Sequence, residues 1–389
     1  SPVITCAAAD TIDQVAEILT KNRITALVVV DSDQKPVGII TDSDLVSKVL
    51  TRKECANTTL TAADVMSPNP ITLPPDAFFY QALLTMAKNK VKQLPIISDG
   101  QLLGIVTVRD LVQSRSTGAL TIVDGIETSG NIDELVKASE QVDNVLKALV
   151  AEKASNQEIC EVITEFYDRL TRKVIEISEQ EMQRENYGPP PTPYCWITMG
   201  SGGRREQTLR TDQDNGIVYA DVPIGRAKVA AAYFAALAAK IVEGLARCGF
   251  AKCKGNVMAT NPQWCKSVRE WEEMVTHWVL EPNGEMLLNF TIFLDFRAAY
   301  GQKSLAENLR RFVIKSIQDR PIVLHFLAKE DLARRVPLGI FKQFITNKSK
   351  EHRNEINLKR DACVHVVDCV RIFSIREGIS ETSTIGRLK

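Results

Sequence analysis

An internal repeat constrains this chain more than any other feature. Gly38-Ile39-Ile40-Thr41-Asp42-Ser43-Asp44-Leu45 recurs as Gly104-Ile105-Val106-Thr107-Val108-Arg109-Asp110-Leu111, an offset of 66 residues. Upstream, Ile4-Thr5 is answered by Ile71-Thr72. Such self-similarity marks one supersecondary unit used twice. Each copy opens with a short extended segment, followed by an amphipathic helix (Ile12, Val15, Ala16, Leu19; then Phe79, Ala82, Leu83, Met86). Two apolar strands come next, 26–30 and 37–40 in one copy, 94–97 and 102–106 in the other. A last helix opens at Thr41 or Thr107. Both copies therefore spell β-α-β-β-α and both carry T-x-x-D, which by itself is a helix-capping box.

Composition narrows the function classes. The chain has 389 residues, room for about two to four compact units. Lysine plus arginine, 48, cancels aspartate plus glutamate, 48. A protein that grips nucleic acid by its phosphates carries a basic surplus, so nucleic acid is a disfavoured partner. The longest unbroken apolar stretch, Val229 to Ala239, lies between Lys228 and Lys240 and is too short for a bilayer, so no membrane span is expected. The opening residues lack the pattern of a secretory signal, so none is expected. Nine cysteines form no C-x-x-C pair, and His277, His325, His352 and His365 show no metal-ligand spacing. A reducing cytoplasm is the expected compartment.

The paired G-h-h-T-x-x-D signature resembles a tandem pair of CBS domains over residues 1–115, the front copy looking clipped beside the second. The resemblance implies a regulatory module whose clefts hold adenosine nucleotides. Asp44 and Asp110 would then take ribose hydroxyls, and Thr41 and Thr107 phosphate at a helix N-terminus. The capping reading of the same residues stands beside it.

Residues 114–130 are rich in small and polar types and read as a linker. Asn131-x-x-Glu134 then starts one helix, and Ser155-x-x-Glu158 starts a longer one reaching Glu185, about 45 Å at 1.5 Å per residue. Together, 116–185 form a linker and helical arm expected to pack on the next domain or a second subunit. Gly188-Pro189-Pro190-Pro191 ends it.

The candidate chemistry follows. Tyr194–Met199 has strand composition and runs into Gly200-Ser201-Gly202-Gly203-Arg204-Arg205-Glu206. This is neither a dinucleotide fingerprint, a Walker loop nor a hydrolase elbow. Thr211-Asp212-Gln213-Asp214-Asn215 comes next. On a strand, Asp212 and Asp214 share a face, and two adjacent carboxylates suit a hard cation such as magnesium. In Leu288–Arg297 the even positions are apolar, which reads as a strand with Asp295 on its open face as a third carboxylate.

A strand ending in Gly-Ser, a short helix, Asp-x-Asp and a later acid resembles the DNA polymerase β nucleotidyltransferase superfamily. Gly200-Ser201-x-x-Arg204-x-Glu206-Gln207 with Asp212-Gln213-Asp214-Asn215 more specifically resembles the bacterial CBS-linked nucleotidyltransferase-like signalling proteins. These are relatives of the uridylyltransferase that modifies the nitrogen-regulatory protein PII. The likeness runs on through Val257-Met258-Ala259-x-Asn261-Pro262-x-Trp264 and Asp295-x-Arg297 to Leu358-Lys359 and Thr382-Ser383-Thr384-x-x-Arg387-Leu388. It implies that Gly200 and Ser201 cradle a triphosphate, that Arg204 and Arg205 bind phosphate, and that Asp212, Asp214 and Asp295 are catalytic and hold two magnesium ions. Asn357 stands where relatives usually have aspartate, and Lys254 and Asn256 where proline and glycine are common.

The expected fold is α+β and multidomain: the CBS pair, the helical spacer, a polymerase-β-like nucleotidyltransferase core over 186–300, and a helical domain over 301–389. Lys359, Arg371 and Arg376 of the last are expected to face nucleotide or acceptor. The expected activity is magnesium-dependent transfer of a nucleoside monophosphate from ATP or UTP to a hydroxyl, with a regulatory protein as acceptor and adenine nucleotide sensed by the CBS pair. A homodimer is expected. The alternatives are a nucleotide-sensing module without turnover, and an RNA nucleotidyltransferase.

Overall fold

The computed structural model describes residues 3–50, 60–77, 79–113, 117–151, 153–334, 336–338, 343–346 and 355–389. The chain divides into two compact units, Ser1–Val123 and Asp124–Lys389.

In the first unit, β1 (Thr5–Ala7) lies parallel to β2 (Ala26–Val30), which pairs antiparallel with β3 (Pro36–Thr41). A two-residue strand β4 (Ser67–Pro68) closes the sheet. The helix Ile12–Asn22 between β1 and β2 begins at a capping box of Thr11 and Gln14 and buries Val15 and Leu19. These meet Cys6, Leu27, Val29 and Ile40 in one core. The second copy repeats the plan: helix Phe79–Asn89, then β5 (Gln93–Ser98) antiparallel to β6 (Gln101–Thr107). A single parallel bridge from Leu73 to Ile96 stands where β1 stands in the first copy. The expected repeat is therefore realised in its helix and antiparallel strand pair, with the opening strand reduced to one bridge in the second copy. Residues 117–128, expected as linker, form an α-helix. Of that expected linker, 114–116 lie outside the described residues.

The second unit is built on the sheet β10-β7-β8-β9: β7 (Tyr194–Thr198), β8 (Asn215–Tyr219), β9 (Cys265–Ser267) and β10 (Arg297–Gly301). β7 runs antiparallel to both β8 and β10, and β9 runs parallel to β8. The helix Asn156–Arg184 opens at the expected Ser155–Glu158 capping box and packs against Ala227–Arg247 within this unit. The expected single helix after Asn131 is two, Ile132–Glu140 and Val142–Ala151, joined at Gln141. Segment Ile224–Arg247 is, by length and composition, apolar enough to cross a membrane, which a count of unbroken apolar residues overlooked; half of its most apolar window is buried against the unit. Beneath the sheet, Trp264, Trp271, Trp278, Phe290, Phe293 and Phe296 form an aromatic core, with Trp271 stacked on Phe293 at 4.8 Å and Phe293 on Phe296 at 4.6 Å.

One expectation is corrected here. Gly284–Phe293 is a helix, not a strand. Its start is set by Asn283, whose side chain accepts from the Met286 amide at 3.2 Å. Leu287, Phe290 and Leu294 recur at helical spacing and are fully or almost fully buried, so the same residues that alternate also satisfy a 3.6 period. Asp295 sits in the turn between this helix and β10.

Candidate active site

Three of the motifs singled out in the sequence meet around β8. Asp212 and Asp214 lead into this strand from its N-terminal side. Gln213 between them is buried and turned inward, its amide nitrogen donating to the carbonyls of Val242 (3.1 Å) and Phe250 (2.9 Å). Its backbone N–H donates to Ala251 O at 2.8 Å. The two acids precede the strand rather than lying on it as expected, because β8 begins only at Asn215; with Gln213 turned inward, Asp212 is exposed and Asp214 half-buried. Asn215 is buried as well: its amide donates to Val257 O at 3.1 Å, and its side-chain oxygen accepts from the Ala259 amide at 2.9 Å. The Val257-Met258-Ala259 motif thus braces the strand that follows the two acids.

Gly200 closes the other side. It follows β7 at φ +56, and a Cβ built on it would lie 2.7 Å from Asp214 Oδ2. A side chain at this position would collide with the carboxylate in a conformation that glycine adopts most readily. Burial raises the Asp214 pKa; a hydrogen bond from the Cys253 thiol opposes this, the Asp212 carboxylate adds to it, and Lys359 and Arg204 lower it. Asp212 and Asp214 line a cleft of about 470 Å³, counted to its open mouth, with Thr171, Thr198, Gln207 and Phe250. Ser201 is half-buried in the short helix Gly200–Gly203, whose leading amides have no intrahelical carbonyl to bond.

Asp295 and the two arginines lie elsewhere. Asp295 is fully buried among three guanidinium groups: Arg371 Nε to Oδ1 at 2.9 Å and Nη2 to Oδ2 at 2.5 Å, Arg204 Nη1 to Oδ2 at 2.7 Å, and Arg387 Nη1 to Oδ1 at 2.9 Å. Burial would raise its pKa, but Arg371, then Arg204 and Arg387, hold the carboxyl well below the usual range. A metal ion could reach neither oxygen without displacing an arginine, so this placement does not fit the expected third ligand. Among the described residues no three His, Cys, Asp or Glu side chains group as a ligand set.

Arg204 also donates to Glu206 Oε2 at 2.7 Å, and Glu206 Oε1 accepts from the Thr384 amide at 2.7 Å. Thr382 Oγ1 donates to Gly203 O at 2.9 Å, and Arg387 Nε to Glu381 O at 2.8 Å. The final Thr382-Ser383-Thr384-x-x-Arg387 motif therefore clamps the Gly-Ser loop. No local pattern in the sequence marks Arg371 and Arg387 as partners of Asp295; the one signal is that Arg371 stands three residues after Asp368 in a helix with apolar neighbours on both sides. Arg371, expected to face nucleotide, is buried on Asp295 and Asp368. Arg376 is exposed over Phe373. Lys359 alone of the three is exposed and within electrostatic reach of Asp214. Arg205 is exposed at φ +59 and faces a different cleft.

In the first unit Thr41 and Asp44 bond one another, Thr41 Oγ1 to Asp44 Oδ2 at 2.7 Å and Asp44 N to Thr41 Oγ1 at 3.2 Å. Thr107 and Asp110 do the same at 2.7 and 3.3 Å. A third box, Thr61 with Asp64, repeats the geometry. The capping reading is realised in full. Asp44 carries a second partner, Lys48, at 2.8 Å.

Comparison with known proteins agrees with this division. Residues 1–51 and 62–116 match the CBS domain model. The chain belongs to the CBS-domain proteins. Residues 140–285 match the family described as "Putative nucleotidyltransferase DUF294", and 321–389 its "Putative nucleotidyltransferase substrate binding domain". An uncharacterized protein of Methanopyrus kandleri is 35% identical over 28% of this CBS-domain chain and 57% of its own length. One from Methanocaldococcus jannaschii is 31% identical over 29% of this chain and 85% of its own. The chain thus spans little more than half the length of the first. A solved CBS domain pair, in complex with 5′-methylthioadenosine and S-adenosyl-L-methionine, is 31% identical over 29% of this chain and 87% of its own, with a TM-score of 0.27.

Proposed function

We propose that the second unit transfers a nucleoside monophosphate from ATP or UTP to an acceptor hydroxyl and releases pyrophosphate. The observation that carries this reading is the seating of Gly200 against Asp214, with Asp212 beside it at the mouth of the same cleft. The match to the nucleotidyltransferase family over the same stretch supports it. Asp212 and Asp214 fit magnesium, which is commonly bound by one or two carboxylates together with substrate phosphates. When bound it would screen the charge developing on the phosphates.

The chain's own residues do the rest. The free leading amides after β7 and the Ser201 hydroxyl hold phosphate oxygens. Lys359 adds positive charge beside Asp214. Gln213 and Asn215 keep both carboxylates from rotating away. The acceptor oxygen bonds to the α-phosphorus, the bond to the β-phosphate oxygen breaks, pyrophosphate takes the electron pair, and the hydroxyl proton passes to water. The acceptor is a regulatory protein, by analogy with the PII system, and the CBS pair, as a homodimer, senses adenine nucleotide. Transfer of label from α-labelled ATP and UTP to protein in an extract, with Asp212→Asn and Asp214→Asn beside the unaltered chain, tests this. Label that depends on both acids supports it; label that persists without them sinks it.

A second reading has its own observation. Asp295 is locked among arginines and leaves two acids at the cleft. Two acids suffice to bind a nucleotide–magnesium complex without turning it over, which makes the unit a nucleotide sensor. Nucleotide binding without label transfer under any condition would favour it.

A further inference from the structure

A second cleft in the same unit shares no lining residue with the Asp212–Asp214 cleft. It measures about 1210 Å³ to its open mouth, and its wall carries Arg205, Arg297, Lys303, Arg310 and Arg311 against Glu307 and Glu381. Two of these cations are committed. Arg297 forks onto Asp168 at 2.7 and 2.8 Å. Arg310 is buried, donates to the carbonyls of Leu294 and Phe296, and lies 4.2 Å over the Phe296 ring. Those partners are neutral, so its charge is answered by no touching carboxylate among the described residues. Arg205, Lys303 and Arg311 are exposed; Arg311 bonds the Asn308 side chain, and none of the three forms an ion pair among the described residues. With Arg297 taken by Asp168, the remaining cations still outnumber Glu307 and Glu381, so a chain with no net charge keeps a net positive wall in this cleft.

The chemistry of the occupant follows from shape and lining. Pockets for small ligands enclose most of their guest; this cleft stands open to solvent and leaves one side of an occupant uncovered. Single-stranded nucleic acid stacks its bases on exposed aromatic rings, and the one aromatic residue here, Phe296, is buried. Glu307 and Glu381 would repel a continuous phosphate chain yet can pair with a basic residue of a polypeptide. Arg204 of the Gly-Ser loop turns to Asp295 while its neighbour Arg205 faces this cleft. A segment seated there lies one residue along the chain from the loop of the proposed transfer site.

We propose that this cleft docks an acidic segment of the protein that accepts the nucleotidyl group. The proposal rests on the transferase reading, but docking is measurable without nucleotide. Fluorescence anisotropy of a labelled glutamate-rich peptide with lysines interspersed, mixed with the full chain, provides the test, using Lys303→Glu/Arg311→Glu as the variant and Lys315→Glu, on the same helix outside the cleft, as control. Thermal melting confirms that each is folded. The unaltered chain and the control should bind the peptide with a strong salt dependence, and the double variant at least about tenfold more weakly. No binding by the unaltered chain, or equal binding by the double variant, overturns the proposal. So does a single-stranded RNA or tripolyphosphate that binds in place of the peptide and responds to the same variant. Label transfer then separates the two readings. Transfer undiminished in the double variant removes docking and keeps the transferase; peptide binding in a chain that never transfers label removes the transferase and keeps an acidic-segment site.

Discussion

Arg371 grips both oxygens of Asp295, and neither side chain is more than 5% exposed. Around them Arg204 and Arg387 complete the cage, and Asp368 holds the far end of Arg371. The pair connects the C-terminal helix Val364–Arg376 to the turn before β10, and through Arg204 to the Gly-Ser loop. Removing one partner of a buried pair leaves an uncompensated charge, at a cost of about 3–5 kcal/mol. Asp295→Ala should therefore lower the unfolding midpoint of the second unit sharply in a urea titration. Loss of label transfer with an unchanged midpoint would instead return Asp295 to the chemistry.

The same carboxyl gives a pH dependence. Its folded pKa lies below the unfolded value of 3.8, so the stability it contributes is fully present above that value. It is lost as pH falls from there through the lowered folded pKa. Chemical denaturation between neutral and strongly acidic pH should show a loss of stability below about pH 4 in the unaltered chain that is smaller in Asp295→Asn. Equal acid sensitivity in both would count against the cage.

Much of this architecture was legible beforehand, and what escaped has physical causes. The repeat exposed the CBS pair because each copy carries its own strand and helix periods. Gly200 and the Asp212–Asp214 pair were legible because the local chain brings them together through β7 and β8. Leu288–Arg297 was misread because Leu287, Phe290, Phe293 and Leu294 fit a helical period while the even positions fit a strand; the cap at Asn283 decides. The arginine cage was invisible for another reason. Asp295, Arg371 and Arg387 are brought together only by tertiary packing of segments 76 and 92 residues apart, and no local period encodes that.

The T-x-x-D boxes separate folding from ligand binding. Thr107→Ala removes the acceptor for the Asp110 amide and should cost about 1 kcal/mol of stability in the first unit. Asp110→Asn can no longer accept as a carboxylate but keeps a side-chain oxygen. If AMP occupies the second copy's cleft, calorimetry on the full chain should show binding that Asp110→Asn weakens. Binding untouched by either change would leave the boxes as caps alone.

Gly200→Ala tests the seat of the candidate acid. The added methyl would meet Asp214 Oδ2 at 2.7 Å in a backbone conformation that side-chain-bearing residues rarely adopt. Either the carboxylate or the turn must shift. A displacement on the order of 1 Å at a reacting centre costs about a hundredfold in rate. Label transfer by Gly200→Ala should fall by about that factor while its circular dichroism stays that of the unaltered chain. Full activity would mean that the Gly-Ser turn does not position the chemistry.

Asp214→Asn carries the sharpest contrast, because stability and activity should move in opposite directions. Burial first, with Asp212 reinforcing it, raises the folded pKa of Asp214 above its unfolded value of 3.8. A carboxyl raised on folding makes its ionised form a liability: the cost is absent below the unfolded pKa, grows as pH rises through the folded pKa, and is fully present at neutral pH. The neutral amide removes it. Asp214→Asn should thus melt a few degrees higher than the unaltered chain at pH 7 without magnesium, the two should converge as pH falls toward 4, and label transfer should be lost. Magnesium with ATP should raise the melting temperature of the unaltered chain and leave the variant nearly unmoved. A variant that melts lower at pH 7 would show that Asp214 serves the fold, and that its strained ionisation is not reserved for a ligand.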